Sequence, residues 1–153
     1  GGTSQSGKLG FGIAGGSPQS GGKVGTDGWS VRMSWSRDEL RFYIYYANRP
    51  YLVQGRNPAY GDQLATGVKY KAGVEYKITV EVILNTPNKS DGVFKATING
   101  KNVITKTNML WMTGSEPEVD KLWLSSFHGG NTKAWSPASE SNILIRDVSL
   151  EKL

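Results

Sequence analysis

Residues 29–46 read WSVRMSWSRDELRFYIYY, and this stretch decides the fold. It contains two alternating segments, 29–35 and 40–46, joined by the short polar link 36–39. Successive side chains of a β-strand point to opposite faces, so each segment has an apolar face and a polar face. The length of the link predicts a hairpin. Pairing the two strands would gather the polar side chains on one face, which carries Ser30, Arg32, Arg41, Tyr43 and Tyr45.

The composition favours an all-β protein. The chain of 153 residues has 20 glycines, 5 tryptophans and 7 tyrosines. Glycine-rich turns between β-branched and aromatic segments are typical of antiparallel sheets, and no segment has a convincing helical period. A chain of this length buries one sizeable core, so residues 1–153 are predicted to form a single domain. No apolar segment approaches the roughly 20 residues that span a membrane, so we expect no membrane partner.

Charge and cysteine content restrict the partners. The formal net charge of +5 favours polyanions, and nucleic acid, acidic polysaccharide and anionic membrane all satisfy it. The basic residues are scattered and no OB-fold or RRM pattern is present, so we expect no nucleic-acid partner. Cysteine is absent, which excludes disulfides and thiolate metal sites.

Further strands are predicted on both sides of the hairpin. Val/Ile/Leu alternation, and the hairpin signal Asn99-Gly100, are the main indications. Eight or so short strands with such turns favour an antiparallel two-sheet β-sandwich of jelly-roll type. Besides the hairpin, the predicted strands cover residues 8–14, 74–84, 93–98, 101–106, 121–127 and 142–150.

A long irregular segment is predicted at residues 47–73. Long ordered loops of this kind often carry function. This one contains aromatic and basic side chains at Tyr51, Arg56 and Tyr60, of which Arg56 and Tyr60 are our candidate substrate-binding residues.

Several common chemistries find little support. GFGIAG at 10–15 fits the dinucleotide pattern G-x-G-x-x-G but lacks a following helix and a suitably placed acidic residue, so we expect no cofactor. His128 is the only histidine, which makes a metal site improbable, and no nucleophile-elbow sequence accompanies it. We expect His128 to be structural or to lie at the edge of a groove. No pair of carboxylates stands out for glycoside hydrolysis.

The remaining set of residues suits the β-elimination of a uronic-acid polymer. That reaction needs a donor that neutralises the uronate carboxylate, a base for the C5 proton and an acid for the departing O4. Arg32 offers the planar fork that matches a carboxylate, and Lys8, Tyr43 and Tyr45 offer groups that transfer protons. The pattern alone fits equally well a pair of tyrosines that merely flank a solvated arginine.

These residues resemble the motifs of polysaccharide lyase family 14, the alginate and glucuronate lyases. The family's lysine, Ser-x-Arg and Tyr-x-Tyr strands correspond here to GKLGFGI at 7–13, SVRMSW at 30–35 and YIY at 43–45. SFHGG at 126–130, which contains His128, is also similar. The order and approximate spacing agree over nearly the whole chain.

The resemblance implies a β-jelly-roll enzyme that acts on an acidic polysaccharide without metal or cofactor. Arg32 would clamp the carboxylate, and Lys8, Tyr43 and Tyr45 would transfer protons. Ser30 would position the substrate, and Arg41, Arg56, Tyr60 and His128 complete our list of substrate-binding candidates. An extracellular or secreted protein, or one on the surface of a phage or virion, is the expected setting.

Members of the family carry strands ahead of the lysine motif, whereas this chain starts almost on it. We therefore expect a longer parent protein, a partner that supplies the strands, or a smaller binding relative. The last of these keeps an alternative function open, which is a non-catalytic carbohydrate-binding module that uses the same basic, tyrosine-lined face.

Overall fold

The computed structural model describes residues 6–17, 25–54, 60–128 and 142–152. Within these ranges, residues 6–10, 52–53 and 125–128 are described by their backbone alone. In the part of the chain that the structure describes, no helix is long and apolar enough to cross a membrane.

The described chain forms two antiparallel sheets and one short helix. The elements are β1 Ser6–Gly16, β2 Gly28–Ser36, β3 Glu39–Tyr45, α1 Pro50–Val53, β4 Asp62–Lys69, β5 Ile78–Ile83, β6 Gly92–Ile98, β7 Lys101–Met109 and β8 Lys121–His128. The larger sheet has the strand order β4-β3-β2-β1-β8, and the smaller has the order β5-β6-β7. The predicted all-β, antiparallel two-sheet sandwich is therefore confirmed.

The predicted hairpin is confirmed as β2 and β3. Ser36 pairs with Glu39, which leaves Arg37 and Asp38 as the turn. Arg37 has a φ of 55°, in the left-handed region that tight hairpin turns require. This register places Arg32 opposite Tyr43 and therefore holds the polar side chains of both strands on one face.

The apolar face of the hairpin packs against the smaller sheet. The rings of Phe42 and Phe94 meet edge to face with centroids 5.5 Å apart, and those of Trp29 and Trp111 lie 5.1 Å apart. This burial of large apolar side chains on both inner faces is the main source of stability of such a sandwich. The core cluster contains Trp29, Val31, Met33, Phe42, Ile44, Tyr46, Phe94, Ala96, Met109, Trp111 and Met112.

Three predicted elements differ from the structure. The segment 47–73 is not wholly irregular, because it contains α1 and the edge strand β4. Strand 74–84 is shorter, and β5 starts at Ile78 because the N–H of Lys77 is bonded to the side chain of Asn99 instead of a ladder partner. Residues 142–150 form no strand, and Asp147, with a φ of 55°, interrupts the extended backbone there.

Candidate active site

The candidate site is built on the polar face of the β2–β3 hairpin. Ser30 lies opposite Tyr45, and Arg32 lies opposite Tyr43. On the other side of β2, the backbone of Lys8 in β1 pairs with that of Ser34. Ser34 lies two residues after Arg32 and therefore on the same face of β2. The register thus brings the segments that carry the predicted catalytic residues onto three adjacent strands.

The hydroxyls of Tyr43 and Tyr45 are hydrogen-bonded to each other. Their hydroxyl oxygens lie 3.1 Å apart, and their rings meet edge to face with centroids 5.3 Å apart. Both side chains are buried. Burial, together with the hydrogen bond to Tyr43, raises the pKa of the Tyr45 phenol above its ordinary value. Tyr45 therefore keeps its proton throughout the neutral range.

Arg32 lies among three aromatic rings. Its guanidinium carbon is 5.5 Å from the ring centroid of Tyr43, 5.9 Å from that of Tyr45 and 4.9 Å from that of Trp123 in β8. The residue is 1% exposed. Burial lowers the pKa of Arg32 and the neighbouring phenols oppose this effect, but an arginine remains a cation in such surroundings. A buried positive charge surrounded by π faces attracts anions strongly, because little water screens it.

A second buried arginine, which the sequence did not single out, lies next to the pair. Arg49 is 0% exposed, and its guanidinium carbon is 5.0 Å from the ring centroid of Tyr45. Its Nη1 donates to the carbonyl of Tyr46 at 2.9 Å, and its Nε donates to the carbonyl of Tyr60 at 3.2 Å. Only its position, in the loop that directly follows the tyrosine strand, could have indicated a role.

Gly61 also contacts both tyrosines. Its N–H donates to the hydroxyl of Tyr43 at 2.9 Å. A Cβ at this position would lie 2.7 Å from a ring carbon of Tyr45 and 2.8 Å from the carbonyl oxygen of Ile44. Only glycine therefore allows the backbone to approach the pair this closely.

The polar face of the hairpin is covered by other parts of the chain. Ser30, Arg32, Ser34, Tyr43 and Tyr45 are all buried. The cover comes from outside the hairpin: Trp123 of β8 contacts Arg32, Arg49 in the loop after β3 contacts Tyr45, and Gly61 contacts the tyrosine pair. Alternation along a strand shows which side chains share a face, and it gives no information about what packs on that face.

The remaining binding candidates lie further out or outside the described side chains. Arg41 is on the same sheet face but is bonded to Glu39, at 2.8 Å from Nη2 and 3.2 Å from Nε. Tyr60 is 54% exposed, and its ring meets that of Tyr51 edge to face at 6.2 Å. Arg56 lies outside the described residues. The backbone of His128 pairs with that of Gly7 at the end of β8, and its side chain is outside the described part.

No group of three or more potential metal ligands from His, Cys, Asp or Glu occurs among the described residues. The described part of the site brings together the guanidiniums of Arg32 and Arg49, two phenols, the hydroxyl of Ser30 and the N–H of Gly61. Such a set can bind an anion and transfer protons.

The family model for polysaccharide lyase 14 matches residues 3–148. Since this match covers nearly the whole chain, the protein belongs to polysaccharide lyase family 14. No curated protein sequence is significantly similar to it.

Solved structures of similar fold include several alginate lyases. Alginate lyase Aly36B is 28% identical with a TM-score of 0.71, and the match covers 88% of this chain and 57% of that chain. A variant of Aly36B in complex with an alginate trisaccharide is 27% identical with a TM-score of 0.72, covering 88% of this chain and 58% of the other.

The marine PL-14 alginate lyase from Aplysia kurodai shares the fold at 22% identity and a TM-score of 0.72, covering 89% of this chain and 59% of that chain. These likenesses confirm the predicted jelly-roll type of the sandwich. The chain spans less than two thirds of the length of each of these structures.

Proposed function

We propose that the protein is a polysaccharide lyase that cleaves an acidic polysaccharide, such as alginate or polyglucuronate, by β-elimination without a metal. The observation that carries this proposal is the buried cluster of Arg32, Tyr43 and Tyr45 on one hairpin face, with the two phenol oxygens 3.1 Å apart. Family membership and the similarity to a lyase structure that contains an alginate trisaccharide support the substrate class.

Arg32 would neutralise the uronate carboxylate. The C5 proton of a uronate is weakly acidic, and it becomes more acidic when a cation and hydrogen-bond donors stabilise the charge that spreads into the carboxylate. A guanidinium matches a carboxylate with two parallel hydrogen bonds. In the buried surroundings of Arg32, this interaction is stronger than it would be in water.

The proton transfers require one group that starts deprotonated and one that starts protonated. The base removes the C5 proton, the electrons of that C–H bond form the C4=C5 double bond, the C4–O4 bond breaks, and the acid protonates O4. We assign the acid to Tyr45, because burial and the bond to Tyr43 raise the pKa of its phenol. Tyr43 and Lys8 are the two candidates for the base.

Substrate must displace part of the cover before it can reach Arg32. Two exposed rings, Tyr51 and Tyr60, lie at the margin, in the chain segment that also supplies Arg49 and Gly61. Aromatic rings stack on the apolar face of a sugar, so this pair would hold the polymer at the entrance. Because such polymers lie outside cells, we place the activity outside the cell or on the surface of a phage or virion.

The test is to incubate the chain with alginate, polymannuronate, polyguluronate and polyglucuronate, with EDTA present, and to follow the ultraviolet absorbance of the unsaturated product. We expect product from at least one polymer, and none from the Arg32→Ala variant when circular dichroism shows that the variant is folded. Binding without product on every polymer across a wide pH range would contradict the proposal.

A non-catalytic carbohydrate-binding module is the second candidate. The observation that favours it is the contrast between the exposed rings of Tyr51 and Tyr60 and the buried phenols of Tyr43 and Tyr45. A module of this kind would bind oligouronates through the exposed rings, and Arg32→Ala would then leave the affinity unchanged. Single-stranded DNA serves as the control polyanion, and its binding should disappear with added salt if it is only electrostatic.

A further inference from the structure

Arg49 and Tyr43 contact opposite ends of one peptide group. The carbonyl of Tyr60 accepts from Nε of Arg49 at 3.2 Å, and the N–H of Gly61 donates to the hydroxyl of Tyr43 at 2.9 Å. The carbonyl of one residue and the N–H of the next belong to the same planar trans unit and point in opposite directions. A hydrogen bond at the carbonyl therefore sets the direction in which the N–H points.

Arg49 is itself held firmly. Its backbone N–H donates to the carbonyl of Tyr46 at 3.2 Å, and its Nη1 donates to the same carbonyl at 2.9 Å. The preceding residue, Asn48, exchanges hydrogen bonds with β7 and the chain after it, at 3.0 Å to the carbonyl of Asn108 and 2.9 Å from the N–H of Leu110. The smaller sheet thus anchors the arginine that reaches the Tyr60–Gly61 peptide.

The chain of contacts ends at the reacting groups. From Arg49 it passes through the peptide to Tyr43 and from Tyr43 to Tyr45 at 3.1 Å. Hydrogen bonds in such a series polarise one another, and a charged donor at the start strengthens the effect. The N–H at Tyr43 would also stabilise the phenolate that Tyr43 must carry at the start of the reaction if it is the base.

We propose that Arg49 is a positioning residue, which orients the Tyr60–Gly61 peptide so that the N–H of Gly61 fixes Tyr43 and, through it, Tyr45. This inference rests on the proposed function for its catalytic part, and on the hydrogen bonds alone for its structural part. Arg49 does not need to touch the substrate. Its loss should therefore lower kcat more than it changes KM.

The experiment compares Arg49→Met, Arg49→Lys and the control Arg146→Met in the full chain. Arg146 is an exposed arginine whose described ion pairs are with Glu75 and Asp147, neither of which takes part in the contacts of Arg49. Hydrogen exchange of the Gly61 amide, followed by NMR, reports on the peptide without any need for activity. The amide of Ala96, in the central strand of the smaller sheet, reports on global opening.

In Arg49→Met we expect the Gly61 amide to exchange at least about tenfold faster, the factor that a single hydrogen bond to a charged group is worth, and we expect this increase to exceed any increase at Ala96. We expect kcat to fall by a similar factor, with KM within about twofold. Arg49→Lys keeps the positive charge and one donor nitrogen, so its exchange rate at Gly61 and its kcat should both lie between those of Arg49→Met and the wild type. Arg146→Met should match the wild type.

Unchanged exchange at Gly61 in Arg49→Met would overturn the inference. Faster exchange at Gly61 with unchanged kcat would overturn its catalytic part. If Arg49→Met does not fold, Arg49→Lys decides by the same two measurements. If the wild-type chain cleaves no polyuronate, the lyase proposal fails, and the exchange rates still show whether Arg49 orients the peptide.

Discussion

The hydroxyl oxygens of Tyr43 and Tyr45 lie 3.1 Å apart, although the apolar Ile44 separates the two residues along β3. Residues at i and i+2 of a strand share a face, and this spacing lets two phenols meet edge to face and share a hydrogen bond. Because the two hydroxyls share one hydrogen bond, removing either phenol leaves the other without this partner.

Replacing Tyr45 by phenylalanine should remove the proposed acid while keeping the ring. Turnover should fall by at least about 100-fold, since a positioned general acid contributes a factor of this size. Affinity for an oligouronate, measured by calorimetry, should change little. The matched control is Tyr76→Phe, which removes a hydroxyl that bonds to the backbone of Lys69 and Lys71, away from the site. Full turnover in Tyr45→Phe would remove Tyr45 from the mechanism.

Adding one carbon at Gly61 should disturb the pair without removing either phenol. In Gly61→Ala the new Cβ would lie 2.7 Å from the Tyr45 ring and 2.8 Å from the carbonyl oxygen of Ile44, so the backbone or the ring must move. We expect the free energy of unfolding to fall by about 1–3 kcal/mol, as overpacking usually costs, and turnover to fall with it.

Gly73→Ala is the control for this variant. Gly73 has a φ of 75° and nothing within 4 Å of an added Cβ, so the substitution introduces backbone strain alone. It should destabilise the protein in urea denaturation and leave kcat unchanged. An equal loss of kcat in both variants would show that turnover depends on general stability instead of the contact at Gly61.

The exposed ring of Tyr60 should contribute to substrate affinity. Tyr60→Ala should weaken oligouronate binding by about threefold to tenfold, the range expected for one aromatic contact, with kcat nearly unchanged. Tyr60→Phe keeps the ring and should bind like the wild type. Equal affinity in all three proteins would place the polymer elsewhere.

Alkaline pH should destabilise the fold through two buried phenols. Burial raises the pKa of Tyr45 and of Tyr46, with further contributions from the hydrogen bonds to Tyr43 and Asp62 respectively. Unfolded tyrosine titrates near pH 10, so above about pH 10 the unfolded state binds fewer protons than the folded state. The stabilisation is complete below that pH and is lost as the pH rises towards the raised values.

Urea denaturation at a series of pH values measures this effect. The free energy of unfolding of the wild type should fall steeply above about pH 10, and the fall should be shallower in Tyr46→Phe and in Tyr45→Phe. If the free energy of unfolding falls with pH as steeply in both variants as in the wild type, other groups cause the alkaline loss of stability.

The sequence was sufficient to predict the hairpin and the residues on each face, because alternation is a local property, but the turn is two residues shorter than the predicted link 36–39. It was also sufficient for the turn at Asn99-Gly100. The sequence was insufficient to predict β4, because its alternation of apolar and polar residues is weak. The buried positions of β4 include the polar Thr66, and its exposed positions include Gly67. Residues 142–150 are rich in β-branched and apolar residues, which favours a strand, yet Asp147 adopts a left-handed conformation and no ladder forms.

The site was predicted less completely than the fold, for a related reason. Arg32, Tyr43 and Tyr45 could be grouped because their strands are adjacent in sequence. Arg49 and Gly61 join them only through contacts that the folded loop makes, and no local pattern distinguishes a buried arginine from a solvated one. The cover over the polar face depends in the same way on packing between distant segments.

The two-residue turn of the hairpin limits how this protein can change during evolution. Because the side-chain period of a strand is two, inserting or deleting one residue between Ser36 and Glu39 would exchange the faces of one strand relative to the other. Tyr43 and Tyr45 would enter the core, and Phe42 and Ile44 would replace them beside Arg32. A change of length by one residue at Arg37 and Asp38 would therefore remove the core and the chemistry together.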